Sequence, residues 1–316
     1  MKMKKIVVIG GGTGSYTVLR GLKKFPLAIT AVVSMFDSGG SSGQLRDEFG
    51  VLPPGDVRRC LVALSDGERE AVLRDLFNYR FEKGSFLGHN FGNIFLTAIA
   101  DILGDQAEAI KKAGELLNIN GRVFPVSLTD AHLHATLENG QEIVGETNID
   151  VPKHDGGLRI KKVFLKPSAV LYKEAKKAIL EADAVIIGPG DLYTSIIPNL
   201  LVKGMGDALR KSRAKKIYVA NLMTKYGETN GYVASDFVSE LLKYSGLKKF
   251  DAVICNSAKI PPSYVKKYEK ENKQPLVIDK NLKKYTKKII RRPLFKDARV
   301  IRHDSDELAA IILKEI

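Results

Sequence analysis

The stretch KIVVIGGGTGS, Lys5 to Ser15, reads as a buried strand that ends in a glycine turn and opens a helix running on through Leu19 and Leu22. An unbroken apolar run of this kind suits a strand covered on both faces, which is the signature of a parallel sheet rather than a half-exposed antiparallel one. The turn that follows lets a ligand approach the backbone closely. It also puts the unpaired N–H groups of a helix amino terminus where a phosphate can meet them. Ser15 stands where a dinucleotide fingerprint would carry its third glycine, so NAD is one occupant of this loop among several.

Further runs of the same type lie at Ile29–Ser34, Ala184–Gly188, Lys216–Ala220, Ala252–Cys255, Leu276–Asp279 and Ala298–Ile301. Most are followed by a polar or glycine-bearing loop and a helical pattern. The fold class this predicts is α/β, a Rossmann-like, doubly wound, mostly parallel sheet. One α/β domain is expected to cover residues 1–316, with a helical insertion at 56–119, where EREAVLRDLFNYRF, NFGNIFLTAIADIL and DQAEAIKKAGELL space apolar residues three and four apart. Residues 122–165 alternate in character and carry Asn139-Gly140 between two short strands, a hairpin signal, so a small antiparallel β subdomain is expected there.

In open parallel sheets ligands gather outside the carboxyl ends of the strands. Four loops at such positions carry unusual residues. The first is the glycine loop, with Gly11, Gly12, Thr13 and Gly14. The second, FDSGGSSG (36–43), offers Asp37, Gly40, Ser41 and Ser42 as an anion nest with one carboxylate beside it. GPGDLYTSIIPNLL (188–201) and NLMTKYGET (221–229) are the third and fourth, the latter supplying Asn221 and Lys225. In GHNFGN (88–93), Asn90 serves equally as a helix cap or a ligand contact. His89 lacks an orienting acid nearby in sequence and is not assigned a catalytic role.

Other features read as structural. His132 and His134 alternate along one strand beside Asp130, but a hairpin face explains them better than a metal clip that lacks its third and fourth ligands. No metal ligands are assigned. Cys60 and Cys255 are the only cysteines; Cys60 lies on an apolar helical face, and a buried thiol is the expected state. The net charge of +14 is concentrated after Leu241, where 19 lysines and arginines face 9 acids. These charges are scattered and no nucleic-acid motif frames them, so a solvated basic surface is expected rather than a nucleic-acid interface. No apolar run approaches the ~18–20 residues of a membrane-spanning helix. The amino-terminal run is also shorter than a signal-peptide core, and a cytoplasmic location is expected.

Taken in order, IGGGTG, FDSGGSSGQLR, GVLPPGDVRRCLVAL, GHNFGN, GPGDLYTSIIPNLLV, NLMTKYGET and IRHD run from Ile9 to Asp304, and together they resemble the YvcK-like gluconeogenesis factors. That family is a branch of the CofD-like fold family, which also holds the 2-phospho-L-lactate transferases. The resemblance implies a protein that binds UDP-sugars such as UDP-N-acetylglucosamine, with no required cofactor, and that is linked to carbon flux into cell-wall precursors and to cell shape. It implies that Tyr268 and Arg302 are late ligand contacts, the arginine resting on the matching RHD and the tyrosine on a looser context that leaves Tyr264 as an alternative. Four places depart from the family pattern: Ser38 replaces a second acid, Arg59 an asparagine, Asp191 a serine, and Lys225-Tyr226 a Gln-Pro pair. These leave Mg²⁺ dependence open. A regulated metabolic enzyme and a homo-oligomer are the expected partners. The rival expectation is a transferase that moves a phosphate-bearing group from a nucleotide-linked donor, using Asp37 and Asp56. A dinucleotide-dependent oxidoreductase ranks third, for want of a hydride-transfer site.

Overall fold

The computed structural model describes residues 3–67, 71–295 and 300–316. Its centre is a seven-stranded sheet built from β1 (Lys4–Gly10), β2 (Leu27–Val33), β3 (Arg122–Pro125), β7 (Ala184–Ile187), β8 (Lys215–Val219), β9 (Ala252–Asn256) and β10 (Ile289–Arg292). The spatial order is β10-β9-β8-β7-β1-β2-β3, with every pair parallel. The chain builds outward from β1 through β2 to β3, then returns to place β7 on the other side of β1. That reversal is the doubly wound pattern. It leaves a crevice where the loops after β1 and β7 diverge. The strands flanking it are apolar throughout because both faces are covered: Ile6 to Ile9 and Ala184 to Ile187 are all buried.

A second sheet has three antiparallel strands in the order β5-β4-β6, namely β4 (His132–Leu137), β5 (Glu142–Val144) and β6 (Ile160–Lys166). The chain turns between β4 and β5 at Asn139-Gly140, with Gly140 at φ +89°. The small sheet therefore begins at His132, not at 122. Arg122–Pro125 pairs instead with β2, because Val123 continues the apolar core of the large sheet. Helices at Gly55–Leu64, Ala71–Asn78, Phe91–Leu103 and Gln106–Leu116 fill the span between β2 and β3.

One expected strand needs revision, one lies partly outside the described residues, and one strand was not expected. Leu276–Asp279 is extended but joins no ladder, the pairing there being an isolated bridge between Met223 and Pro275. One edge of the sheet is β10, a segment that the apolar pattern does not reveal. Of Ala298–Ile301, residues 298 and 299 lie outside the described residues, and Val300 and Ile301 are not in a strand. Residues 68–70 of the first insertion pattern likewise lie outside the described residues.

Both cysteines are buried, as expected, and burial pushes the Cys255 thiol up to about 12 and Cys60 higher still. No helix among the described residues is long and apolar enough to cross a membrane.

Candidate functional site

The helix Gly12–Leu22 starts directly after β1, and its cap residue, Gly11, has no side chain to satisfy the first N–H groups. Asp56, from the first turn of Gly55–Leu64, takes that place by accepting a bond from the Gly12 N–H. Glycine is required at two points here. A Cβ on Gly11 would collide with the Asp56 carboxylate, and one on Gly14 would collide with the Pro189 carbonyl. The loops after β1 and β7 are thus pressed together at the topological switch point.

Two adjoining cavities open around this contact and share Thr13, Gly14 and Asp191. One, of about 240 Å³, is walled by Asn221, Lys225, Tyr268, Lys273, Arg302 and His303. The Lys273 ammonium lies 5.7 Å from the Tyr268 ring centre, and the Tyr268 hydroxyl accepts the Ile301 N–H at 3.3 Å. Asn221 donates to the Gly190 carbonyl at 2.8 Å, tying the β8 loop to the β7 loop. His303 sits 3.1 Å from the Ala220 carbonyl, and burial lowers its pKa to about 4, so the neutral ring donates through Nε2. Arg302 is exposed, and among the described residues no carboxylate pairs with it.

The other cavity, of about 380 Å³, is acidic, with Asp37, Asp56, Glu146, Asp150 and Asp191 in its wall beside Gly11, Gly12 and Arg59. Burial, and after it the neighbouring carboxylates, raise the pKa values of two of these acids, Asp56 and Glu146. Burial first and Asp37 second push Asp56 up to about 6, against the pull of Arg59, whose guanidinium is 3.8 Å away. Burial, Asp37 and Asp150 push Glu146 up to about 9. The protonated form of Glu146 is thereby favoured, and in that form it can donate to a hydroxyl or phosphate oxygen.

The loop after β7 is anchored from below by Glu228. This fully buried carboxylate accepts the Tyr193 N–H at 2.8 Å and the Thr194 hydroxyl at 2.9 Å. Lys225 then bridges Asp150, Asp191 at 2.7 Å and Glu228 at 3.3 Å. Burial alone would lower its pKa, but Glu228, Asp191 and Asp150 outweigh that and hold it charged. Two departures from the family pattern, Asp191 and Lys225, are thereby partners, and a third, Arg59, answers Asp56.

Of the residues expected to bind ligand, Gly11, Gly12, Thr13, Gly14, Asp37, Asn221, Lys225, Tyr268 and Arg302 converge on these two cavities. Gly40, Ser41 and Ser42 do not line them. A helix begins at Gly40, so the two serines turn inward, each 4 % exposed, and Ser41 Oγ accepts from the Asn90 N–H at 3.2 Å and the Asn93 amide at 3.3 Å. Their role here is to lock the inserted helices onto the sheet. Asn90 caps Phe91–Leu103. Tyr264 packs edge-on against Phe295 instead of lining the crevice. His134 binds Glu142 at 2.8 Å and stacks on Phe164, as a hairpin-face residue should. Among the described residues, the cluster of metal-ligand type is Asp150, Asp191 and Glu228, and neither histidine belongs to it. Sequence reading missed Glu146, Asp150 and Glu228. The four-residue spacing of the acids in ETNID, just after a hairpin, is the one signal that pointed to a helical face bearing two carboxylates.

A doubly wound sheet with a glycine-rich helix start at its switch point, flanked by a cationic-aromatic cavity and an acidic one, defines a protein of the Rossmann-like class. The chain belongs to the CofD family, whose model, described as 2-phospho-L-lactate transferase CofD, matches residues 6–295, and within it to the gluconeogenesis-factor branch. It is 44% identical over 314 residues to the gluconeogenesis factor of Bacillus subtilis (strain 168), covering 98% of this chain and 97% of that one. The gluconeogenesis factor of Halalkalibacterium halodurans is 45% identical over 283 residues, covering 89% of this chain and 86% of its own. A crystal structure described as a member of the UPF0052 family, from Bacillus halodurans, superposes with a TM-score of 0.93 at 41% identity over 99% of each chain.

Proposed function

We propose that this chain is a UDP-sugar-binding regulatory protein that acts in the cytoplasm, governing carbon flux into cell-wall precursors, and with it cell shape, through a partner enzyme. The observation that carries this reading is the pair of unlike cavities meeting at the Gly12–Leu22 amino terminus. The diphosphate lies over Thr13 and Gly14, where main-chain N–H groups meet it without competition from Asp56. The uridine takes the cavity of Tyr268, Asn221 and Arg302, which offers a ring face, an amide and a guanidinium. The sugar takes the acidic cavity, since ionised carboxylates accept from hydroxyls and protonated Glu146 donates to them. Binding needs no resident cofactor, and the protein acts as a homo-oligomer.

Thermal denaturation against UDP-N-acetylglucosamine, UDP-glucose, NAD and GTP tests this. Stabilisation of about 2.7 kcal/mol is expected at a UDP-sugar concentration of 100 Kd. A larger shift with NAD or GTP, or an equal shift with glucosamine phosphate alone, would refute it. One arrangement favours a second reading, transfer of a phosphate-bearing group: Asp37 and Asp56 face the glycine loop together, and Asp56 titrates near 6. Under that reading Asp37→Ala abolishes turnover of a nucleotide-linked donor. Under the regulatory reading no turnover occurs.

A further inference from the structure

A cation of the chain's own sits at the border of the two cavities, lining the first and paired with Asp150 and Asp191 of the acidic one. Asp150, Asp191 and Glu228 come from three separate segments, the helix Glu146–Asp150 and the loops after β7 and β8. Each offers a carboxylate oxygen, all within 4.8 Å of one another. Carboxylate oxygens gathered so closely form the donor set that a hard divalent cation takes. Here the centre is filled by the chain itself. The Lys225 ammonium bonds to Asp150, lies 2.7 Å from Asp191 and 3.3 Å from Glu228, and its side chain is only 16% exposed. Two of its three N–H donors bond to Asp150 and Asp191, and its charge lies within ion-pair distance of Glu228. The surroundings hold this geometry in place: Glu228 is pinned by Tyr193 and Thr194, and the Lys225 N–H donates to the Thr229 hydroxyl at 2.8 Å.

We propose that Lys225 is a tethered cation standing in the position of a divalent ion among Asp150, Asp191 and Glu228, and that ligand binding in the crevice is thereby independent of divalent metal. The first part stands on the geometry alone, and the second rests on the UDP-sugar reading given above. Lys225 is a positioning residue. Its ammonium is hydrogen-bonded to Asp150 and Asp191 and ion-paired with Glu228, so it acts on a ligand by holding the Gly190–Thr194 turn against Gly14. Without it, the fully buried Glu228 carboxylate and two partly exposed ones confront one another, a state relieved by a proton or by a cation from solution.

The test uses Lys225→Gln in the full chain, with Mn²⁺ as the probe. Bound ion is counted from the electron paramagnetic resonance of free Mn²⁺, alongside thermal denaturation with and without it. The variant is expected to bind one more Mn²⁺ per chain than wild type. Its midpoint should fall by several degrees without metal and recover most of that loss with Mn²⁺, a recovery wild type does not show. Lys225→Gln/Asp191→Asn, with one carboxylate fewer, should lose the additional ion and need no metal to fold. A Lys225→Gln protein that takes up no additional Mn²⁺ and is not restabilised by it overturns the proposal. So does one that fails to fold even with Mn²⁺ while the double variant folds. The second part is read by calorimetry of wild type with UDP-N-acetylglucosamine in EDTA and in Mg²⁺, where equal affinities are expected. Binding lost in EDTA overturns metal independence, whereas no binding under either condition refutes the ligand assignment and leaves the Mn²⁺ result to decide the role of Lys225.

Discussion

The two cavities differ in how far their polar groups are already committed. On the acidic side nearly every charge has an internal partner: Asp56 answers Gly12 and Arg59, and Asp150 and Asp191 hold Lys225, which reaches them from the border of the other cavity. On the other side Lys273 rests against a ring and is paired with Glu271 at 2.7 Å, but Arg302 is exposed without a carboxylate partner among the described residues. A wall whose charges are paired internally is part of the fold, and its disruption is felt as lost stability. A wall whose guanidinium faces solvent is held ready for something outside the chain, and its disruption is felt as lost affinity.

Substitutions on each side can break that distinction. The largest effect is expected from Lys225→Met, which strands partly buried carboxylates and should reduce stability by about 3–5 kcal/mol in denaturant titration. A loss below about 1 kcal/mol, the level of an exposed pair, would place this cluster among surface ion pairs.

Arg302→Ala should do the reverse. Affinity for UDP-N-acetylglucosamine is expected to drop by roughly 1.5–3 kcal/mol, the range for a hydrogen bond to a charged group, with the unfolding midpoint of the ligand-free protein unchanged. Unchanged affinity, read by calorimetry, would remove the arginine from the site.

The acidic side should also show in the pH dependence of stability. Glu146 titrates at about 9 in the folded chain against a reference of 4.5, so the folded state binds more protons than the unfolded one across that interval. Its contribution to stability therefore declines as pH rises from about 4.5 through about 9, and Asp56 adds a decline of the same sign between about 4 and 6. Glu146→Gln should flatten the upper part of this fall and leave the variant more stable than wild type near pH 9 by at least about 1.4 kcal/mol, the worth of one pKa unit. Parallel pH profiles for the two proteins would contradict the assignment of Glu146 as the crowded acid.

The smallest effect is expected at Tyr268. Removing its hydroxyl in Tyr268→Phe deletes one bond from the Ile301 N–H, a change of about 0.5–1.5 kcal/mol in stability, while the ring face that meets a base remains. If affinity falls more than stability, the hydroxyl itself touches the ligand, and the division between the two walls becomes sharper still.

Strand burial and helix starts are properties of short windows, and these the amino-acid sequence determined by itself. Ile6–Ile9 and Ala184–Ile187 must be apolar at every position to be covered on both faces, so the parallel sheet was legible. The glycines of the first loop were legible as well, because Gly14 meets the Pro189 backbone and Gly11 the Asp56 carboxylate too closely for a side chain. Where one face or edge is uncovered the rule weakens, and β10, with two isoleucines followed by two arginines at the sheet edge, escaped it. Arg122–Pro125 is too short to announce which sheet it joins. Only the tertiary structure decided what the polar residues do. Ser41 and Ser42 look like an anion nest until the helix start at Gly40 turns them toward Asn90 and Asn93. Lys225 looks like a ligand contact until chain folding brings it to Asp150, 75 residues away, and to Asp191, 34 residues away. Apolar burial depends on how many neighbours a residue has, which local composition reports. Charge pairing depends on which particular neighbours it has, and those are chosen only when the loops at the carboxyl ends of separate strands meet.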